Sequence, residues 1–112
     1  MALILKSDVL PLRDGISVRP EILLALMIAD GVWEKSGVRE CMITSLLDGT
    51  HMIGSLHYKG LAADLRTKGT GLADRLFGEL RRALPENLYD VLLEGKDTAN
   101  EHVHLEFQPK KK

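Results

Sequence analysis

A single cysteine stands in a chain of 112 residues, so no intrachain disulfide can staple the fold. Cys41 lies in the apolar stretch Cys41-Met42-Ile43, the setting of a small buried hydrophobe, and nothing near it would lower a thiol pKa as a nucleophile requires. An excess of one charge is also missing. Fifteen Lys and Arg against 16 Asp and Glu leave a net charge of −1. The charges are spread along the chain, without the clustered basic face by which a nucleic-acid binder is recognised, and Lys110–Lys112 reads as a solvated tail. Long apolar runs are missing too. The longest, Ile22–Ala29, ends at Asp30 and falls far short of the roughly 20 residues that span a bilayer. The opening MALILKSD lacks the basic start, apolar core and small-residue cleavage site of a signal peptide. The expectation is therefore a chain made in the cytoplasm, with neither membrane nor nucleic acid as partner.

What is present fits one globular domain over residues 1–112. Hydrophobic residues make up 45% and charged residues 28%, ordinary values for a chain with a single core, and no repeat or linker divides it. Leu3–Leu5 reads as a short edge strand and Leu10–Gly15 as turn-rich. Pro20 suits the first turn of a helix, and Glu21 to about Lys35 carries an apolar stripe of Ile22, Leu23, Leu26, Met27 and Trp33. Val38–Ser45 reads as a strand leading into a loop, Leu46–Ser55. After the tight turn HYKG, Leu61–Arg66 reads as a short strand. Gly69–Leu84 has Leu72, Leu76, Leu80 and Leu84 at helical spacing, and Pro85 stops it. Tyr89–Leu93 and His102–Phe107 close the chain as strands. Together these predict an α+β fold, a small and mainly antiparallel sheet with helices packed on one side.

The last strand sorts its side chains by alternation. Val103, Leu105 and Phe107 share one face, and His102, His104 and Glu106 share the other. If the apolar face packs on a helix, the histidines look elsewhere. His57 and Asp64, seven residues apart with small residues between them, complete a two-histidine, one-carboxylate set with His104. Three protein ligands and an open fourth position describe a catalytic zinc site, whereas structural sites close with four ligands and usually with cysteines. Glu101 precedes the regular strand, so it could lean over the metal as a general base. Histidines on strands are more often satisfied polar residues than ligands, and spacing alone leaves both readings open.

Ser55–Asp64, SLHYKGLAAD, resembles the Ser-x-His-x-x-Gly-x-Ala-x-Asp motif of the zinc D-Ala-D-Ala carboxypeptidases and L-Ala-D-Glu endopeptidases. EHVH, Glu101–His104, resembles their Glu-x-x-His, in the same order along the chain. The likeness covers roughly residues 18–108 and is nearest to the short, single-domain, phage-type members. It implies the fold shared with the Hedgehog signalling domain, a zinc ion on His57, Asp64 and His104, and Glu101 as general base and then acid. It further implies a peptidoglycan peptide as substrate, reached at lysis or from a phage particle. Ser55 would lie beside the site. Arg66 and His102 are candidates for substrate or oxyanion contact, and the loop histidine His51 for substrate contact. Members of this family generally set a cationic or amide side chain over the scissile carbonyl from the strand before the loop. Cys41–Ser45 offers none, leaving Arg39, Arg66 and His102 to choose among. The alternatives are a Hedgehog-like domain that holds zinc for recognition without catalysis, and a phage structural protein.

Overall fold

The computed structural model describes residues 2–48 and 55–110. Its main body is a five-stranded sheet in the order β1-β4-β5-β7-β6, formed by β1 (Leu3–Leu5), β4 (Cys41–Ser45), β5 (Ala62–Arg66), β6 (Tyr89–Glu94) and β7 (His102–Phe107). Strands β4, β5, β7 and β6 pair antiparallel, while β1 adds to β4 in parallel. A separate two-stranded hairpin, β2 (Leu12–Arg13) with β3 (Ile16–Ser17), occupies the segment expected to be turn-rich. Two helices, α1 (Pro20–Lys35) and α2 (Ala73–Ala83), complete the α+β layout.

Each helix begins and ends where local chemistry requires. Pro20 occupies the first turn of α1, and Gly37, at φ +88°, supplies the left-handed residue just beyond its end. The buried stripe of α1 is Ile22, Ala25, Leu26, Ala29, Asp30 and Trp33, whereas Leu23 and Met27, expected within it, are exposed. Alanines at 25 and 29 let the helix lie close on the sheet, which turns the larger neighbours outward. Helix α2 starts at Ala73 rather than Gly69, because Gly69 and Gly71 take positive φ that a helix cannot continue through. Thr70 Oγ1 instead accepts the Leu72 N–H at 3.1 Å and marks the boundary. Strand β4 likewise opens only at Cys41, three residues after the expected Val38.

Ala63 and Leu65 of β5, Val103 and Leu105 of β7, and Val91 of β6 form one core with Leu76, Leu80 and Leu84 of α2 and the apolar residues of the buried α1 stripe. Each large apolar side chain fully buried there contributes about 1.5–3 kcal/mol relative to exposure. With one face of the sheet committed to the helices, the alternation of β5, β6 and β7 delivers Asp64, Arg66, Glu94, His102, His104 and Glu106 to the other face.

Candidate metal centre

Strand register does the first part of the assembly. Asp64 of β5 lies directly across from His104 of β7, and cross-strand neighbours on one face of an antiparallel pair bring their side chains together. His104 Nδ1 stands 2.8 Å from Asp64 Oδ1. The β4–β5 pairing shifts register between Ile43 and Ser45, and Ser45 is the residue opposite Asp64, so the sheet is irregular where the site is built.

His57 comes from a short 3-10 helix, Leu56–Lys59. Ser55 caps that helix, its Oγ accepting the His57 N–H at 3.2 Å. The helix ends at Gly60 in the left-handed region, φ +71°, and a Cβ there would stand 2.2 Å from the Ser17 carbonyl oxygen. The small residue in the HYKG turn is thus required by both conformation and close approach. The imidazole of His57 is buried, and its Nδ1 donates to the Leu46 carbonyl at 2.7 Å. Asp48 fixes the turn that offers this carbonyl, one carboxylate oxygen accepting from the N–H groups of Leu46 and Leu10. The opposite ring nitrogen, Nε2, is thereby directed at Asp64 Oδ1, 3.4 Å away. The His57 and His104 rings lie 5.2 Å apart.

His57, Asp64 and His104 therefore converge, with one ligand atom from each within 4.8 Å of the others. These groups could hold a metal ion. The orienting bonds match the usual support of a ligating imidazole, whose second nitrogen is bound to a carbonyl or carboxylate. For His57 that partner is Leu46. For His104 it is Glu106, whose Oε1 lies 2.8 Å from Nε2. Burial opposes charge on Asp64, but hydrogen bonds from His104 and His57 outweigh it and hold the carboxyl well below the usual range. Burial also works against protonation of His104, yet its bonds to Asp64 and Glu106 prevail and lift its pKa to about 9. The donor types and their orientation suit a divalent cation, which would bind in place of the proton that His104 Nδ1 shares with Asp64.

Glu101 is not brought to this cluster. Its backbone continues the β5–β7 ladder opposite Thr67, which gives its side chain the parity of Val103 and turns it to the helix side. Its Oε1 accepts from Thr67 Oγ1 at 2.7 Å and its Oε2 from the Asp97 N–H at 2.9 Å. The Asp97 N–H and then the Thr67 hydroxyl lower its pKa. The carboxylate faces the first turn of α2 across a cleft shared with Asp74 and Lys96.

The remaining expected residues divide. His102 and exposed Arg66 are register partners on the cluster's own face, whereas Ser55 acts on His57 through its backbone. Arg39 stands among Ala2, Ile4 and Glu34 beside the start of β4. His51 lies outside the described residues. Cys41 is buried, and burial with the nearby charge of Asp30 pushes its thiol up to about 12, which suits a core residue and not a nucleophile. Two acids on the site face, Glu106 and Glu94, have parts in the site that the sequence alone does not assign. Glu106 was legible as the residue two beyond His104 on the same strand face. Glu94 becomes visible only once β6 is in register with β7. No helix among the described residues is long and apolar enough to cross a membrane. Compared with known proteins, the chain matches no family model, no curated protein and no solved structure.

Proposed function

We propose that this protein is a zinc-dependent peptidase acting on bacterial cell-wall peptides, with a Hedgehog/D-Ala-D-Ala-peptidase type of fold. One observation carries the reading. His57, Asp64 and His104, the positions that match the ligands of the family motif, converge from three separate segments on one point of the sheet. Two imidazoles and one carboxylate suit zinc with an open coordination position. Zinc held there would supply Lewis acidity and lower the pKa of a water molecule toward neutrality.

The chain's own groups have distinct tasks in this reading. The Leu46 carbonyl and Glu106 set the orientation of His57 and His104. Asp64 contributes negative charge that its neighbours keep ionised. Arg66, exposed beside the cluster, is placed to meet a peptide carboxylate or a carbonyl oxygen that gains charge during attack. The motif assigns Glu101 as the base that takes a proton from the attacking water and returns it to the leaving amine. The hydrogen bonds from Thr67 and Asp97 keep it ionised, as a base must be, and it has to leave them to act.

The location of Glu101 favours a second reading, a metal-holding recognition domain in which this carboxylate ties the 95–101 loop to Thr67, just beyond β5. Cleavage separates the two. Incubated with muropeptides, the zinc-loaded protein should produce a new cut at an L-Ala/D-Glu or D-Ala bond, seen by mass spectrometry, and leave casein intact. The Glu101→Gln variant should keep its metal and lose about 10²–10⁴ in rate, the typical worth of a general base. Zinc-loaded protein that cuts no wall peptide would support the recognition domain. Full activity in Glu101→Gln would move the base to the cluster's own face.

A further inference from the structure

Beside the first cluster, on the same face, Asp64, Glu94 and His102 form a second convergent group, with one ligand atom from each within 4.8 Å of the others. Register explains it. Glu94 lies directly across from His102 in the β6–β7 pair, and Asp64 is its diagonal neighbour on β5.

The chemistry around His102 is specific. Its Nδ1 donates to the Asn100 carbonyl at 2.7 Å, an oxygen that can only accept. In the neutral ring, Nε2 is then a lone pair. Glu94 Oε1 stands 3.0 Å from that nitrogen and Asp64 Oδ2 stands 3.8 Å from it. Two carboxylate oxygens and a nitrogen lone pair thus face one place, a donor set that suits a cation. A proton on Nε2 would serve the Glu94 contact. It would not serve Asp64 across 3.8 Å, which is too long for a hydrogen bond. Two ligands about 2 Å from one tetrahedral ion, by contrast, stand about 3.3 Å apart, a span this pair reaches by closing about half an ångström. The construction also repeats that of His57, where a backbone carbonyl takes Nδ1 and sends Nε2 toward the same aspartate. The two oxygens of Asp64 are divided between the groups, Oδ1 toward His57 and His104 and Oδ2 toward His102.

We propose that Asp64 bridges two metal positions, and that Asp64 Oδ2, Glu94 and His102 Nε2 hold a second divalent cation beside the first. This rests on the first cluster being a metal site. Bridged pairs of this kind place their ions about 3.5–4 Å apart in hydrolytic sites. The second position is the weaker one, because Glu94 is 48% exposed and must be ordered to bind.

Equilibrium dialysis of the metal-free full chain against Zn2+ tests this, with Co2+ as the spectroscopic probe. The wild type should take up two equivalents, the second lost first to a chelator, and the two-Co2+ form should show magnetic coupling between its ions. Glu94→Gln and His102→Asn should each lose the second equivalent and the coupling while keeping the first. One equivalent in the wild type, unchanged in both variants and lost in His57→Ala, would overturn the second position and leave the first standing. Two equivalents retained in Glu94→Gln and His102→Asn, or two uncoupled Co2+ ions, would also overturn it. Uptake of no metal by the wild type would overturn both.

Discussion

His104 sits between two carboxylates, and which of them matters for what is decided by the ring nitrogen each one faces. Glu106 lies at Nε2, away from Asp64, so its work is to orient the imidazole and raise its basicity. Glu106→Gln should therefore weaken metal binding by about 10–100-fold without abolishing it, as read by competition with a chromogenic chelator. A Glu106→Gln protein with unaltered affinity would remove this supporting role. Glu101 makes a different prediction. Its pKa is held below the ordinary value of about 4.3 by the Asp97 N–H and the Thr67 hydroxyl, so the folded state binds fewer protons than the unfolded chain in that range. The stability it contributes is present above the unfolded value and is lost as pH falls toward the folded one. Glu101→Gln should be less stable than the wild type at neutral pH and show a shallower loss as pH falls below the ordinary carboxylate value, measured by thermal melts of the metal-free protein. Superimposable acid limbs would show that the Thr67 and Asp97 bonds contribute nothing to folding.

At the scale of elements, Gly60 joins the 3-10 helix that carries His57 to the hairpin beneath it. Gly60→Ala combines a positive φ with a clash against the Ser17 carbonyl, so the segment must shift and take His57 with it. The expected outcome is a lower melting temperature together with weakened metal binding, against a slightly raised melting temperature and unchanged metal binding for alanine at an open, helical position such as Gly31. Melting curves and metal titrations of the two variants check this. Much of the element order was legible in the chain. Pro20, the leucine spacing of α2 and the alternation of β7 each carry a local signal, and that alternation put His104 on the face opposite the core. What depends on pairing was not legible. The registers that set Asp64 against His104 and Glu94 against His102 are long-range facts, and the parity that turns Glu101 to the helix side follows from its alignment with Thr67. Leu23 and Met27 were misplaced because apolarity alone does not reveal that Ala25 and Ala29 provide the close contact.

At the scale of the whole molecule, the sheet divides two tasks. One face is closed by α1 and α2 and holds the core, and the other gathers acids and imidazoles whose mutual proximity is tolerable only with protons or cations among them. Metal binding should therefore be coupled to global stability. A free metal concentration of a hundred times Kd adds about 2.7 kcal/mol. At about 4 °C or more per kcal/mol for a domain of this size, stripping the metal should lower Tm by about 10 °C. Calorimetry with and without a chelator checks this, and an unchanged Tm at saturating metal would uncouple the site from the fold.

The central claim, that His57, Asp64 and His104 share one metal ion, is tested most directly by anomalous scattering at the zinc edge from crystals grown with Zn2+. The account predicts a strong peak about 2 Å from His57 Nε2, Asp64 Oδ1 and His104 Nδ1, with the His57 Nδ1 bond to Leu46 and the His104 Nε2 bond to Glu106 intact. No anomalous peak among these three side chains, with Asp64 still hydrogen-bonded directly to His104, would contradict it.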